Sequence, residues 1–333
     1  KYLKCREVMA DFLGKPELLQ QRWPRSPRLP ASPPLELEGS LSLAEALPSM
    51  QERRSGVCSS LPLPAERLGC GHGYVFYRSL SAVTDRLPLQ VGRDAVHDWA
   101  SVMVDGKVLG TVYRSEKPAG SGHEFTLPEE GGRVEILVDI MNRVNFGGAM
   151  RGERKGLLGS DAVTLGSFFT GPARAIWGWE CIPLPMSSED LAALPWANSS
   201  EGSSRNSLRS SARGPRFFRF KLFVRDPADG FLDMTGGFQK GFVCVNGFNL
   251  GRYWQIGPQR SLYVPAPLLR RGENEVIVFD IDFPGGKIPT LRMVPEAIWS
   301  SGVLPPGAIE AISDTASRVI QGVGSALKRD GTS

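Results

Sequence analysis

The chain contains 333 residues, of which 41% are hydrophobic and 22% are charged, as expected for a globular protein of two or three domains. Its net charge of +4 comes mostly from scattered arginines, which argues against a nucleic-acid-binding protein. No run approaches the roughly 18 apolar residues that a membrane-spanning helix needs, so we expect no membrane span.

Five cysteines stand at positions 5, 58, 70, 181 and 244. None of them forms a Cys-x-x-Cys pair or has the spacing of metal ligands, and the three histidines are dispersed, so we expect neither a metal site nor a cofactor. Cys58 and Cys70 flank a short loop and could form a disulfide in an oxidising compartment. Two unpaired thiols are an equally open alternative.

Residues 1–19 carry apolar side chains at helical spacing, including Tyr2, Val8 and Phe12, until Gly14 interrupts the pattern. This spacing predicts an amphipathic helix that has no partner in the nearby sequence.

Residues 20–70 begin with a proline-rich stretch and predict an extended linker. Within it, positions 35–43 alternate between apolar and polar residues and predict one half-buried strand. Positions 50–68 are polar and proline-rich, and we interpret them as a loop.

Short apolar runs separated by turn residues begin near Gly71 and continue to Gly166. Asp105-Gly106 is a strong hairpin signal between two of these runs, and Val134 to Ile140 is a long apolar strand. The pattern predicts a first antiparallel β-sandwich over 71–166.

The same succession of strands and turns predicts a second sandwich over 167–299. Its strongest feature is an apolar strand ending at Val245, followed by Asn246-Gly247 and a return strand to Trp254. A type I′ turn requires positive φ at both central residues, which suits Asn-Gly. The fold class is therefore all-β, with two antiparallel sandwiches of jelly-roll type.

Two segments break the strand pattern. Residues 187–214 are rich in Ser, Arg and Asn and predict a disordered insertion, in which Asn198 begins an N-glycosylation sequon. Residues 300–333 form a tail with apolar residues at helical spacing, although Gly322 and Gly324 weaken a helix there.

Several motifs resemble one family. The run Gly-Phe-Val-Cys-Val-Asn-Gly-Phe-Asn-Leu-Gly-Arg-Tyr-Trp at 241–254, followed by Leu-Tyr-Val-Pro-Ala-Pro at 262–267, resembles the last jelly-roll domain of family 35 β-galactosidases. Upstream, Gly-Tyr-Val-Phe-Tyr-Arg at 73–78 and Met-Asn-Arg-Val-Asn-Phe-Gly at 141–147 resemble the first β-domain of the same enzymes. Lys-Tyr-Leu-Lys-Cys-Arg-Glu at 1–7 looks like the final helix of their (β/α)₈ barrel.

The resemblance implies a chain that starts where a catalytic barrel ends, in a protein that is lysosomal, vacuolar or secreted. It also implies retaining hydrolysis of β-galactosides by two glutamates on barrel strands. The Asn-Glu pair of this sequence, Asn274-Glu275, lies in a predicted turn of the second sandwich and is followed by Val276. We therefore assign no catalytic residue and expect the chain alone to be inactive.

Two groups of residues are candidates for contact with a sugar. In the hairpin, Asn246, Asn249, Arg252 and Trp254 are of the residue types that bond hydroxyls or stack on sugar rings, although a structural role in the sandwich is the favoured alternative.

The second group is the loop Asn142, Arg143, Asn145 and Phe146. The resemblance implies that this loop leans toward the barrel mouth, where the family often carries tyrosine in place of Phe146. Arg143 either takes part in that site or ties the loop to its own strands.

Three functions remain open. The chain is the non-catalytic part of a β-galactosidase, whose partner would be a barrel in the same parent chain. Alternatively it is a module that binds a β-galactoside without cleaving it. In a third alternative it is a structural subunit that attaches to a partner protein through 1–19, 187–214 or 300–333.

Overall fold

The computed structural model describes residues 2–20, 27–114, 123–166, 173–196 and 212–300. The helices are α1 (Tyr2–Phe12), α2 (Glu17–Gln20), α3 (Leu43–Arg53) and α4 (Ser188–Ala192). The strands are β1 (Glu36–Ser42), β2 (Val57–Ser59), β3 (Tyr74–Ser79), β4 (Leu89–Val91), β5 (Val96–His97), β6 (Trp99–Val104), β7 (Lys107–Tyr113), β8 (His123–Phe125), β9 (Val134–Asp139), β10 (Gly156–Leu157), β11 (Val163–Leu165), β12 (Arg174–Ala175), β13 (Trp179–Leu184), β14 (Arg216–Val224), β15 (Gly230–Asp233), β16 (Lys240–Val245), β17 (Phe248–Trp254), β18 (Ser261–Val264), β19 (Gly272–Asp280) and β20 (Arg292–Val294).

The first sandwich consists of a six-stranded sheet, in the order β2-β13-β3-β9-β6-β7, and a four-stranded sheet, in the order β12-β11-β4-β8. Every pairing within these two sheets is antiparallel. A hydrophobic core between the sheets includes Val75, Tyr77, Val102, Ile136 and Trp179.

The second sandwich consists of a five-stranded sheet, β1-β14-β19-β16-β17, and a three-stranded sheet, β18-β15-β20. Phe218, Phe220 and Val243 face the core between these sheets. The antiparallel all-β architecture predicted from the sequence is confirmed.

A third hydrophobic core lies between the six-stranded and the five-stranded sheets, and we call it the joint. Tyr74, Phe76 and Leu137 enter it from the first sandwich, while Phe242 and Phe279 enter it from the second. The described residues therefore form a stack of four sheets with three cores, and β5 and β10 pair as a fifth, two-stranded sheet.

The joint explains why the sequences of the central strands are continuous runs of apolar residues. Along β3, Val75 and Tyr77 face the first core, whereas Tyr74 and Phe76 face the joint. Since successive side chains point to opposite faces of a strand, a strand buried on both faces has no polar positions to alternate with.

The domain boundary predicted at 166/167 differs from the strand pairing. β13 was predicted to open the second sandwich, but it pairs with β2 and β3 in the six-stranded sheet of the first. Likewise β1, predicted to lie in the linker, pairs with β14 of the second sandwich. Pairing over such separations leaves no local trace in the sequence, which is why the boundary was misplaced.

The predicted linker 20–70 is also more structured than expected. Ser42 and Glu45 form a capping box at the start of α3, and the helix buries Leu47 and Met50 in the joint. The prediction of a loop over 50–68 was therefore wrong at its start, because Pro48 inside the helix obscured its periodicity. At the predicted insertion, Ser187 caps α4, so disorder was wrong there too.

The remaining predictions on these segments fall outside the described residues. They concern the sequon at Asn198, positions 197–211 of the insertion, and the helical tail over 301–333.

The N-terminal helix is present as predicted and has an exposed apolar face. Val8, Met9 and Phe12 are exposed, Phe12 to 85%. Arg6 donates through Nε to the carbonyl of Leu18 at 2.6 Å, which links α1 to α2. No helix in the described ranges is both long and apolar enough to cross a membrane.

All five cysteines lie in the described residues, and none is paired. Cys58 is exposed, whereas Cys70 is buried and donates through Sγ to the carbonyl of His72 at 3.2 Å. Of the two alternatives for this pair, the structure has the unpaired thiols.

Candidate functional site

A buried charge cluster lies in the joint between the two sandwiches. Asp139, at the end of β9, is fully buried and accepts hydrogen bonds from Lys240 Nζ and Arg252 Nη1 of the second sandwich. Lys240 Nζ also lies 5.4 Å from the ring centroid of Trp99 and 4.9 Å from that of Trp254, within reach of cation–π attraction.

The charges of this cluster depend on one another. Burial works to raise the pKa of Asp139, but Lys240 and Arg252 outweigh burial and hold that pKa below its ordinary value. Burial lowers the pKa of Lys240, and Asp139 opposes that shift. One carboxylate thus serves two cations.

A cleft opens beside the charge cluster and brings together three of the predicted site residues. Its volume is about 410 Å³, and Asn142, Asn249 and Arg252 are among its lining residues. Tyr74 also lines it, with Arg252 Cζ lying 5.3 Å from the centroid of the Tyr74 ring. The tyrosine hydroxyl is buried beside the Arg252 guanidinium, out of reach of the cleft.

The other hairpin candidates lie elsewhere. Asn246 and Gly247 both have positive φ, 49° and 82°, as a type I′ turn requires. Asn246 Nδ2 donates to the carbonyl of Leu268 and to Asn274 Oδ1, each at 2.8 Å. The Trp254 ring packs edge-on against Tyr113 of the first sandwich, with 5.2 Å between centroids. These contacts lie within the fold rather than in the cleft.

The loop at 142–146 is anchored by Arg143. Its guanidinium donates to Glu66 and to the carbonyls of Cys70 (3.3 Å) and Gly71 (3.4 Å). Glu66 also accepts from the backbone N–H of Lys155 at 3.2 Å, so one carboxylate fastens both sides of the loop.

The lowered pKa of Glu66 agrees with its role in anchoring the loop. Burial works to raise the pKa of Glu66, but the bond from Arg143 and the other donors hold it below its ordinary value. At the tip of the loop, Phe146 is 76% exposed.

Comparison with known proteins assigns the two sandwiches. Residues 62–185 match the profile of the first all-beta domain of β-galactosidases, and residues 215–274 match that of the β-galactosidase galactose-binding domain. The chain belongs to the β-galactosidase family.

Curated relatives agree with this assignment. The chain is 34% identical to a β-galactosidase of Xanthomonas manihotis, over 71% of this chain and 34% of the relative. It is 32% identical to β-galactosidase 1 of Dictyostelium discoideum, over 66% and 32%. It is 30% identical to the human β-galactosidase-1-like protein 3, over 86% and 41%. The chain thus spans about a third to two-fifths of these β-galactosidase relatives.

Solved structures add no argument about the ligand of this β-galactosidase family chain. A lectin of Pleurotus ostreatus aligns with 83% of this chain and 86% of its own, at 12% identity and a TM-score of 0.20. A TM-score this low supports no inference.

A glycosidase of the β-galactosidase type needs two accessible carboxyl groups, one of them with a raised pKa. Asp98 and Glu153 are one close acidic pair in the described residues, and they share a cation. Lys155 Nζ lies 2.6 Å from Asp98 and 3.0 Å from Glu153. Burial works to raise the pKa of Glu153, yet Lys155 and Arg114 hold it below its ordinary value. Glu153 is therefore held as a structural anion.

Asp280 has the raised pKa of a general acid but not the accessibility. Burial raises its pKa to about 7, while the side chain is fully buried and accepts from the backbone N–H groups of Gln239 and Asp282. A substrate cannot reach it. The described residues of this β-galactosidase family chain also contain no cluster of His, Cys, Asp or Glu that could hold a metal ion.

The partners of Arg252 were missed by the sequence analysis. Asp139 and Lys240 are 101 residues apart, so no local pattern links them. The available signal was a charged residue at the edge of an apolar run, at Asp139 after Val134 to Val138 and at Lys240 before Phe242. Such residues need a buried partner, although the sequence does not say which one.

Proposed function

We propose that this chain is the non-catalytic C-terminal portion of a family 35 β-galactosidase-like glycoside hydrolase. Its parent protein would hydrolyse terminal β-galactosides by retaining double displacement. In that protein the two sandwiches would form one rigid support for a catalytic barrel, and residues 1–19 would be the end of that barrel.

The observation that carries this proposal is the order of the two domain matches. The first all-beta domain at 62–185 precedes the galactose-binding domain at 215–274, and the relatives named above, a β-galactosidase and a β-galactosidase-1-like protein among them, are much longer than this chain. The joint adds support, because a shared hydrophobic core with a buried charge cluster keeps the two sandwiches from moving independently.

Two exposed apolar groups favour a further domain as partner. The face of α1 presents Val8, Met9 and Phe12, and the loop fastened by Glu66 presents Phe146. Exposed apolar groups of this size are typical of surfaces that another domain covers. Phe146 lacks the hydroxyl of a tyrosine, so it would pack at the barrel mouth without bonding the sugar.

The test is a hydrolysis assay of purified 1–333 on p-nitrophenyl β-galactoside, alone and with a separately produced barrel encoded upstream in the same gene. We expect no turnover by the chain alone and a higher melting temperature of the barrel when the chain is added. Phe12→Ser and Phe146→Ser should weaken that effect, while Phe223→Ser, an exposed phenylalanine on β14, is the matched control.

Two outcomes would contradict the proposal. One is turnover by 1–333 alone that is abolished by mutating one of its own glutamates. The other is a gene in which translation starts just before Lys1, with no barrel upstream.

A further inference from the structure

The loop between β9 and β10, residues 142–154, has an exposed apolar tip. It contains a 3₁₀ turn, Gly148–Arg151. The side chains of Val144, Phe146 and Met150 are exposed, Phe146 most of all. Exposed apolar side chains that share one short loop are typical of a surface that another protein or domain covers.

Four ionisable side chains at the base of this loop form one network, which we call the quartet: Asp98, Arg114, Glu153 and Lys155. Lys155 Nζ donates to Asp98 Oδ2 at 2.6 Å and lies 3.0 Å from Glu153 Oε1. Arg114 Nη1 donates to Asp98 Oδ1 at 3.2 Å and to Glu153 Oε1 at 3.1 Å. Each of the two basic side chains thus contacts both acidic ones.

The quartet fastens the end of the loop to the first sandwich. Asp98 lies between β5 and β6, and Arg114 directly follows β7. The main chain of Lys155 adds two bonds, since its N–H donates to Glu66 at 3.2 Å and its carbonyl accepts from the N–H of Ala65 at 2.8 Å. The side chain of Lys155 is only 2% exposed, so a partner protein cannot contact it directly.

Both ends of the loop are held, because Arg143 fastens the start of the loop to the same Glu66. A loop with fixed ends keeps its tip close to one arrangement before a partner binds. Such preorganisation strengthens binding, since less conformational entropy is lost on association. Without it, the apparent affinity falls in proportion to the fraction of molecules whose tip has the binding arrangement.

The length of the relatives indicates the partner of the tip. The chain spans 34% of the Xanthomonas manihotis β-galactosidase and 41% of the human β-galactosidase-1-like protein 3. Most of the length of these proteins lies outside the aligned part, and under the proposed function the corresponding part of the parent protein includes a catalytic barrel joined to residues 1–19. A covalently joined barrel is the partner at the highest effective concentration.

We propose that the quartet is a positioning device: it holds the loop 142–154 rigid, so that Val144, Phe146 and Met150 contact the catalytic barrel as a preformed ridge. This inference rests on the proposed function and deepens it. It makes the affinity for the barrel depend on Lys155, a residue that does not touch the barrel.

The first test measures amide hydrogen exchange in purified 1–333 and needs no barrel. Lys155→Met should speed exchange across 142–154 about tenfold and leave exchange in β14 and β19 of the second sandwich unchanged. Glu153→Gln keeps the shape of its side chain and should have the same effect to a smaller extent. It is the milder variant if Lys155→Met destabilises the whole sandwich.

The second test is calorimetric titration of 1–333 with the separately produced barrel. Lys155→Met should weaken the affinity about tenfold, and Glu153→Gln less. Because Lys155 acts only through the tip, combining Lys155→Met with Phe146→Ser should weaken binding by less than the product of the two single losses. A role of Lys155 in stability alone would not produce this coupling.

Arg78→Met is the matched control. Arg78 Nε donates to Glu135 at 3.0 Å, and this ion pair joins β3 to β9 at the opposite end of β9 from the loop. The variant should lower the melting temperature, while exchange in 142–154 and the affinity for the barrel stay as in wild type.

Three results overturn the inference: wild-type exchange across 142–154 in both quartet variants, wild-type affinity of the loosened variants for the barrel, or losses that multiply in the double variant. Failure of the proposed function looks different. In that case the unaltered chain does not bind the barrel at all, and the inference falls with it.

Discussion

Each sandwich contains a strand that pairs with a β-hairpin and ends in a buried aspartate. The two aspartates have different bonding partners. In the first, β9 pairs with the first strand of the β6–β7 hairpin; in the second, β19 pairs with the first strand of the β16–β17 hairpin. Each buried strand ends in an aspartate whose Oδ1 accepts the N–H two residues later, Asp139 from Met141 at 2.9 Å and Asp280 from Asp282 at 3.0 Å.

The partners of these two carboxyl groups are different. Asp139 receives Lys240 and Arg252 from across the joint, and its pKa is lowered despite burial. Asp280 receives backbone N–H groups of its own sandwich, and burial raises its pKa to about 7. The local motif therefore positions the carboxyl group, and the facing sandwich decides whether it is charged.

The largest effect on stability is expected from a change at Asp139. Asp139→Asn leaves Lys240 and Arg252 buried without a countercharge, which should cost about 3–5 kcal/mol of unfolding free energy. Asp280→Asn, the matched change, keeps an acceptor for the backbone N–H groups and removes an acid whose ionisation burial opposes, so at pH 7 it should leave stability unchanged or raise it. Urea denaturation at pH 7 measures both variants. Equal losses would show that the joint does not set the charge of Asp139.

The second prediction concerns pH. Because the pKa of Asp280 is about 7 in the folded chain and about 3.9 in the unfolded chain, the folded state keeps a proton that the unfolded state releases. The contribution of Asp280 to the free energy of unfolding should be complete below about pH 4. It should fall by about 4 kcal/mol as the pH rises toward 7.

The contribution of Asp280 to the pH dependence is obtained by comparing wild type with Asp280→Asn. The unfolding free energy of wild type minus that of Asp280→Asn, followed from about pH 4 to pH 8, should decrease with pH. A flat difference curve contradicts the raised pKa.

The third prediction tests the contact between the two hairpins. Trp254→Ala should cost about 3 kcal/mol, since it removes the ring that faces Tyr113 and Lys240 in the joint. Tyr113→Ala removes the same ring contact from the other side and should lower stability as well. Thermal melts with and without galactose check the result, and no sugar-dependent difference is expected. A stable Trp254→Ala that loses a galactose-induced shift would instead make Trp254 a binding residue.

The fourth prediction compares the two hairpin turns. Gly106 and Gly247 have φ of 77° and 82°, and an added Cβ meets nothing within 4 Å at Gly106 and only Ser188 Cβ at 3.7 Å at Gly247. Backbone strain alone should then determine the effect of Gly106→Val and Gly247→Val, about 1–3 kcal/mol each. Guanidinium chloride denaturation measures both, and widely different costs would mean that side-chain crowding matters at one turn.

The smallest effect is expected at the N-terminus, which takes no part in either pairing of strand and hairpin. Deletion of residues 1–19 should leave the melting temperature unchanged and improve solubility, because Val8, Met9 and Phe12 are exposed. Calorimetry and a solubility assay check this. A large loss of melting temperature would show that α1 belongs to the sandwich core.

Features with a local cause were predictable. The turns at Asp105-Gly106 and Asn246-Gly247 follow from residues that tolerate positive φ, and both have it. The capping box of Ser42 and Glu45 was equally readable, but the interpretation of the following residues as a loop overlooked it. The sequence named Asn142, Asn249 and Arg252 as candidates for contact with a sugar, but it gave no reason to place them beside one cleft.

By itself, the sequence determined the all-β class, the hairpin turns, the amphipathic first helix and the family, because these depend on local residue types and on motifs that run along the chain. Only the tertiary structure decided that β13 belongs to the first sandwich, that a third core joins the two, and that Asp139 meets Lys240 and Arg252. The physical reason is distance along the chain. A strand buried on both faces and a charge buried beside it look the same in sequence whichever sheet they face.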